Sequence, residues 1–150
     1  MQNALKPALG RAMPQKIDTV LTIDDDDVEQ MLIKRILVRS GMVGDVIQFR
    51  AAEAALEFLQ DPSHPHIDVI LLDINMPRMN GFEFLESAAR NCNLDSVGCI
   101  VVMLTTSLDP GDRARANAFG IVKDYIAKPL DFDDLHRIRA LLDDRSAAAH

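Results

Sequence analysis

Short apolar runs alternate with segments of helical periodicity along most of the chain. Five such runs are predicted to be strands, at residues 19–23, 45–49, 67–72, 99–104 and 122–127. The third and fourth runs carry apolar residues on both faces, which is typical of strands that helices cover on each side. Strict alternation of strand and helix predicts a parallel sheet with right-handed crossovers and helices on both faces.

This alternation predicts an α/β domain of the flavodoxin-like (βα)5 class. In that fold a doubly wound five-stranded parallel sheet has the strand order 2-1-3-4-5. We place the domain at residues 17–143. Residues 1–16 are expected to form a flexible N-terminal tail, and residues 144–150 a C-terminal tail.

Capping signals mark the predicted helix boundaries. Gly41 ends the first helix, and Asp109 followed by Pro110 begins the fourth. Asp131, with Asp134 three residues later, begins the last helix. The faces predicted to be buried are Val28, Met31, Leu32 and Ile36 in the first helix and Phe132, Leu135, Ile138 and Leu142 in the last.

Charge and composition exclude some classes of partner. The formal net charge is −7, which argues against nucleic acid as a direct partner because phosphate binding needs a basic surface. No apolar run approaches the length of a membrane span, and the N-terminal segment lacks the apolar core of a signal peptide. We therefore expect a cytoplasmic protein with no membrane or nucleic-acid partner. Cys92 and Cys99 lack metal-ligand spacing and are expected to be reduced thiols.

Polar residues follow the predicted strands at their carboxyl ends, where open parallel sheets bind ligands. Asp24 and Asp25 follow the first strand, and Asp73 follows the third. Thr105 follows the fourth strand and Lys128 the fifth. Because strands one and three are neighbours in the predicted order, the three carboxylates should crowd into one pocket with Lys128 at its edge.

Three carboxylates in one pocket repel each other, so some should have raised pKa values unless a cation lies among them. A hard divalent ion suits oxygen ligands, and Mg²⁺ suits a site with few protein ligands and several waters. We therefore predict a Mg²⁺ site, with Mn²⁺ as the alternative ion.

The pattern resembles the receiver domain of bacterial two-component response regulators, over about residues 18–143. The segments that carry the resemblance are VLTIDD at 20–25, LLDINMP at 71–77 with Gly81, LTT at 104–106 and YIAKP at 125–129. Each segment is weak evidence alone, but together they are specific for the single-domain, chemotaxis-regulator-like receivers.

The resemblance implies roles for the residues around the acid cluster. Asp73 would be the phosphoacceptor, receiving a phosphoryl group from a histidine kinase. Asp25 would bind the metal directly and Asp24 through water, together with Asp73 and the backbone carbonyl of Asn75. Asn75 and Thr106 would tune access to the phosphoryl group.

The same resemblance implies a switch. Thr105 and Lys128 would contact the phosphoryl group, and Tyr125 would be a switch ring whose inward position depends on Thr105. The peptide bond before Pro129 would be cis, at modest cost because it precedes proline.

These roles predict a stand-alone response regulator rather than a turnover enzyme. Phosphorylation would switch the face formed by the fourth helix, fifth strand and fifth helix, and the protein would be a monomer or a phosphorylation-dependent dimer. Its phosphoryl donor would be a sensor histidine kinase or a histidine phosphotransfer protein. Basic residues are expected to gather on the switched face, namely Arg113, Arg115, Lys123 and Arg137. The alternative is a phosphoryl shuttle or sink in a phosphorelay.

Other interpretations of the same residues fit less well. The segment Asp24–Asp27 could be a solvated helix start, but this does not explain the matching acid and lysine after other strands. A haloacid-dehalogenase-like phosphatase would need a second acid two residues after Asp73, where this chain has Asn75. His64 and His66 lie in a Pro-containing loop without a third ligand, which favours a surface loop over a metal site.

Overall fold

The computed structural model describes residues 16–95 and 97–148, and in this part of the chain five strands alternate with five helices. The strands are β1 (Ile17–Ile23), β2 (Val43–Phe49), β3 (Val69–Leu72), β4 (Ile100–Thr105) and β5 (Val122–Ala127). The helices are α1 (Asp27–Ser40), α2 (Ala52–Gln60), α3 (Gly81–Asn91), α4 (Pro110–Asn117) and α5 (Phe132–Ala148). All strand pairs are parallel, in the order β2-β1-β3-β4-β5. The predicted flavodoxin-like fold is confirmed.

Helices cover both faces of the sheet. One core cluster joins α1 and α5 to the sheet through residues such as Ile33, Leu37 and Ile138. The other joins α2, α3 and α4 to the opposite face through residues such as Ala55 and Phe82. Because β3 and β4 lie between these two cores, every side chain from Val69 to Leu72 is buried. The polar residues that follow the strands can therefore meet only at the edge of the sheet.

The capping predictions agree with the structure. Gly41 ends α1 in the left-handed conformation, with φ of 68°, a backbone state that glycine adopts without strain. The Asp109 side chain accepts a hydrogen bond from Gly111 N, directly after Pro110. Asp131 and Asp134 cap the start of α5 reciprocally, each carboxylate accepting a hydrogen bond from the backbone N–H of the other. The aspartate caps fix the starts of α4 and α5, which follow the carboxyl ends of strands.

The predicted buried face of α1 is wrong. Its buried residues are Gln30, Ile33 and Leu37, whereas Val28 is 59% exposed and Met31 is 51% exposed. Leu32 is also exposed, and Ile36 is only partly buried. The helix is rotated because the polar Gln30 side chain turns inward to hydrogen-bond the ends of β1 and β2. In α5 the predicted face is buried except for Phe132, which is 49% exposed.

Several boundaries differ from the predicted ones. Strand β2 begins at Val43, where Gly44 lies so close to β1 that a Cβ atom would be 2.8 Å from Asp18 O. Helix α4 is short and ends at Asn117. Helix α5 continues to Ala148, past the domain limit suggested at residue 143. The predicted N-terminal tail lies outside the described residues apart from Lys16, and the domain limits stay predictions.

Within residues 16–95 and 97–148, no helix is long and apolar enough to cross a membrane.

Candidate functional site

Three carboxylates meet at the carboxyl edge of the sheet. Pairing of Ile23 with Leu72 places Asp24 and Asp73 side by side, and the Asp73 backbone N–H donates to Ile23 O at 3.0 Å. One oxygen from each of Asp24, Asp25 and Asp73 lies within 4.8 Å of the others. Asp24 and Asp73 are only 2% and 7% exposed, whereas Asp25 is exposed. The structure thus brings together the three acids that the sequence singled out.

Lys128 supplies the positive charge of the pocket. Its Nζ lies 2.6 Å from Asp24 Oδ2 and 3.7 Å from Asp73 Oδ1, and its side chain is 7% exposed. Burial opposes the charged form, but the hydrogen bond to Asp24 and the charge of Asp73 outweigh it, so the pKa of Lys128 is raised. The backbone N–H of Lys128 donates to Thr105 O, and the peptide bond to Pro129 is cis, as the resemblance implied. Lys128 is therefore a permanently charged partner of two carboxylates.

Asp73 is the acid that the pocket favours least in its charged form. Burial raises the pKa of Asp73 from 3.8 to about 6, against the opposing charge of Lys128. The charges of Asp24 and, to a smaller extent, Asp25 contribute to this rise. A carboxylate in this condition gains more from a nearby cation than one that is already paired.

The donor set fits a divalent cation. Three carboxylate oxygens lie within 4.8 Å of one another, and one of the three residues is open to solvent. Such oxygen ligands suit a hard ion such as Mg²⁺ or Mn²⁺, with waters completing the shell. The second oxygen of Asp24 accepts a hydrogen bond from Asp26 N at 2.9 Å, which holds that carboxylate in place. Asn75 and Thr106, the predicted access residues, are both exposed. Among the described residues, this cluster is the one group of three such side chains close enough to share an ion.

Gly81 makes room for the loop behind Asp73. A Cβ atom at Gly81 would be 2.5 Å from Asp73 O and 3.1 Å from Ile74 Cα. These are backbone atoms, which cannot move aside to relieve the clash. The close approach is held by a hydrogen bond from Gly81 N to Ile74 O at 2.8 Å. In the sequence, Gly81 was only one of the residues that carry the resemblance to receiver domains. The structure shows that a larger residue would clash there.

Ser107 connects the two predicted switch residues. Thr105 is fully buried, and its Oγ1 accepts a hydrogen bond from Ser107 N at 3.1 Å. Tyr125 is 8% exposed, with its ring inward and its hydroxyl donating to Ser107 O at 3.3 Å. Arg113 lies over the outer face of the ring, 5.2 Å from its centroid. Sequence reasoning missed Ser107, because a serine after a strand is typical of any loop.

The four basic residues predicted on one face have different contacts. Arg137 pairs with Asp124 and Asp134, and Lys123 is exposed. Arg115 lies over the Phe82 ring, 4.2 Å from its centroid, and is thus directed toward α3 rather than α5.

Comparison with known proteins identifies the family. The family model for the response regulator receiver domain matches residues 20–139 of this chain. The chain is 33% identical to the probable methanogenesis regulatory protein FilR2 of Methanothrix harundinacea, over 79% of this chain and 76% of that protein. It is 30% identical to the response regulator Rcp1 of Synechocystis, over 83% of this chain and 84% of Rcp1. The chain therefore belongs to the response regulator receiver family.

Solved structures agree with this assignment. A two-component response regulator from Cytophaga hutchinsonii superposes with a TM-score of 0.78 at 32% identity, covering 86% of this chain and 98% of that one. The Mn²⁺-bound form of Rcp1 superposes with a TM-score of 0.66 at 27% identity, covering 82% and 90%. Some other curated relatives are longer than this chain, which spans 54% of the length of one and 50% of the length of another.

Membership gives the class of activity. Receiver domains bind a divalent metal and interact with histidine kinases or phosphotransfer proteins, and they belong to signalling proteins rather than classical enzymes. The acid cluster described above is consistent with a phosphoacceptor role.

Proposed function

We propose that this protein accepts a phosphoryl group on Asp73, with Mg²⁺ bound by Asp25 and Asp73 directly and by Asp24 through water. The protein would act in the cytoplasm, and its donor is the phosphohistidine of a sensor histidine kinase or of a histidine phosphotransfer protein. The observation that carries the proposal is the buried Asp73 carboxylate, whose pKa is raised to about 6 and which lies in one pocket with two further acids and Lys128.

The surroundings support Asp73, rather than either of its two neighbours, as the acceptor. Asp24 is already engaged, because its oxygens accept hydrogen bonds from Lys128 Nζ and Asp26 N. Asp25 is exposed, so it suits a direct metal ligand that exchanges with solvent. Asp73 is buried at the end of the central strand β3, with Lys128 Nζ at 3.7 Å. This geometry leaves Asp73 as the acid best placed to react.

The transfer conserves charge and atoms in a simple way. A carboxylate oxygen of Asp73 bonds to phosphorus as the bond from phosphorus to the histidine nitrogen breaks, and the product is an acyl phosphate. Mg²⁺, when bound, neutralises charge on the phosphoryl oxygens. Lys128, whose Nζ lies 3.7 Å from Asp73 Oδ1, would supply a second positive charge to those oxygens. The backbone carbonyl of Asn75 would complete the metal ligands from the protein.

Phosphorylation would be reported through Thr105 and Tyr125. A switch can shift its equilibrium only through contacts that differ between its two states. To donate to a phosphoryl group on Asp73 the Thr105 hydroxyl would have to move toward it, and that movement would weaken the hydrogen bond that Oγ1 accepts from Ser107 N. Because Ser107 O also accepts the Tyr125 hydroxyl, the movement would reach the face of α4, β5 and α5.

Labelling with a small phosphoryl donor tests the acceptor proposal. Acetyl phosphate with Mg²⁺ should produce a protein-bound phosphoryl group that hydroxylamine removes, and chelation of Mg²⁺ should prevent its formation. Label that forms equally well without a divalent ion would contradict the proposal.

A further inference from the structure

Gln30 is a buried amide whose hydrogen bonds all point to the strand ends beside the acid cluster. Its side chain is directed inward from the first turn of α1, and the residue is only 5% exposed. Nε2 donates to Asp24 O at 3.0 Å and to Phe49 O at 2.8 Å. Oε1 accepts from Thr22 Oγ1 at 2.6 Å and from Gln48 Nε2 at 2.8 Å. Both donors and both acceptor positions of the amide are therefore used.

The chemistry of these partners fixes which way the amide faces. Asp24 O and Phe49 O are backbone carbonyls that can only accept, so the Gln30 atom beside them must be the nitrogen. Phe49 O also accepts the backbone N–H of Asp24 at 3.1 Å. The N–H and the C=O of Asp24 are thus tied to one small network that joins β1, β2 and α1.

The position of the Asp24 carbonyl gives this network a consequence for the site. That carbonyl belongs to the peptide unit that joins Asp24 to Asp25, and the two residues supply adjacent carboxylates to the cluster. Holding the peptide unit restricts the direction in which both side chains leave the backbone. A buried carbonyl without this donor would also be unsatisfied at the end of a strand, which favours a different loop conformation.

We infer that Gln30 is a positioning residue for the divalent cation: its amide orients the Asp24–Asp25 peptide unit so that both carboxylates face the ion. This inference rests on the proposed function, because it assumes that the acid cluster binds a metal. Groups that hold metal ligands in place, without touching the metal, commonly change metal affinity by about 10–100-fold when removed.

The test compares a variant that removes the whole Gln30 amide with one that removes a single hydrogen bond to its oxygen. Gln30→Met keeps the length of the side chain but removes both donors to Asp24 O and Phe49 O. Thr22→Val removes one hydrogen bond to Gln30 Oε1 and leaves those donors in place. Both should lower the melting temperature, since each loses a buried hydrogen bond. Only Gln30→Met should weaken Mg²⁺ binding, by about tenfold, in calorimetric titration of the full chain.

Asp25→Asn in the same titration tests the metal site separately from the positioning role of Gln30. If Asp25→Asn loses Mg²⁺ affinity and Gln30→Met does not, the positioning role is wrong and the metal site stands. If Asp25→Asn binds Mg²⁺ like the wild type, the proposed metal site fails, and the inference fails with it. Equal losses of affinity in Gln30→Met and Thr22→Val would mean that Gln30 only stabilises the fold, which also overturns the inference.

A shorter amide covers the case in which Gln30→Met does not fold. Gln30→Asn keeps the donor group but lacks one methylene, so it cannot span both carbonyls from α1. Mg²⁺ affinity like that of the wild type in Gln30→Asn would contradict the positioning role, and a loss of about tenfold would support it.

Discussion

Two aspartates flank the central strand β3 and are buried to the same degree, with 7% of the surface of each exposed. Asp68, at the amino end, accepts a hydrogen bond from Thr19 N at 3.1 Å, and its other oxygen lies 3.1 Å from His66 Nε2. Asp73, at the carboxyl end, lies among two more acids, with Lys128 Nζ at 3.7 Å. Burial alone therefore does not mark a functional acid.

The difference lies in how the local structure satisfies each charge. Asp68 has a backbone donor from the adjacent strand, so its charge contributes to holding β1 and β3 together. Asp73 has a raised pKa because burial and neighbouring charges together outweigh Lys128. A buried acid that the fold leaves in need of a cation is poised for a metal and for chemistry.

The largest expected difference between the two aspartates is in phosphoryl acceptance. Asp73→Asn should abolish labelling by acetyl phosphate, because the oxygen that forms the bond to phosphorus is lost. Asp68→Asn should still be labelled, since Asp68 lies at the opposite end of β3 from the cluster. Autoradiography of both variants beside the wild type measures this. Loss of label in Asp68→Asn with an intact fold would remove the distinction.

The next largest effect is on Mg²⁺ affinity, compared between variants of the neighbouring residues Asp25 and Asp26. Asp25→Asn should weaken Mg²⁺ binding by at least about tenfold, since it removes a ligand and a negative charge. Asp26→Asn is the matched control, because the Asp26 side chain caps α1 by accepting from Val28 N and Glu29 N. Calorimetric titration should show little change in Asp26→Asn. Equal affinities for Asp25→Asn and the wild type would assign the metal to other ligands.

A third effect separates Thr105 from the acceptor. Thr105→Ala should still take up label, because it leaves Asp73 and the acid pair intact. Its amide signals in α4 and β5 should respond much less to phosphorylation than those of the wild type, as recorded by nuclear magnetic resonance. A full response in Thr105→Ala would show that this hydroxyl does not report the phosphoryl group.

Stability against pH gives a smaller effect with a definite sign. Because the folded-state pKa of Asp73 is raised from 3.8 to about 6, the folded metal-free protein holds a proton that the unfolded chain has released between these values. Ionising Asp73 in the folded state therefore lowers the free energy of unfolding. This loss of stability is absent below about pH 4, grows as the pH rises, and is complete above about pH 6. At about 1.4 kcal/mol per pH unit it reaches roughly 3 kcal/mol.

Asp73→Asn should therefore be more stable than the wild type above pH 6 without metal, and similar to it near pH 4. Saturating Mg²⁺ should narrow the difference, because the ion stabilises the charged form of Asp73. Urea unfolding at a series of pH values measures both. A difference that does not change with pH would contradict the raised pKa.

The smallest expected effect is the loss of stability on replacing Asp68. Asp68→Asn should lower the free energy of unfolding by about 1–3 kcal/mol, because it weakens a buried charge-assisted hydrogen bond to Thr19 N. Mg²⁺ should not alter this loss, in contrast to Asp73→Asn. A Mg²⁺-dependent loss would indicate that the two ends of β3 are coupled.

Much of the fold could be predicted from the sequence because its signals are local. Apolar runs placed all five strands, and cap residues such as Gly41 and Asp109 placed helix ends. The orientation of α1 could not be predicted, since apolar periodicity alone favoured Val28 and Met31. Packing instead turned Gln30 inward, where backbone carbonyls of two strands satisfy its amide.

The acids of the site were predictable for a similar reason. In a parallel sheet, residues that directly follow the strands share an edge, so Asp24, Asp25 and Asp73 could be brought together from strand order alone. Ser107 and Gln30 could not, because Ser107 acts through its own backbone oxygen on the Tyr125 hydroxyl, and Gln30 donates to carbonyls at the ends of two strands. A serine or a glutamine carries no signal of such contacts.

Chemical trapping of the acyl phosphate tests the central claim most directly. Borohydride reduces an aspartyl phosphate to homoserine, which peptide mass spectrometry locates in the chain. After labelling with acetyl phosphate and Mg²⁺, homoserine should appear at Asp73 and be absent from Asp24, Asp25 and Asp68. Homoserine at one of those three positions, with Asp73 unmodified, would contradict the assignment of Asp73 as the phosphoacceptor.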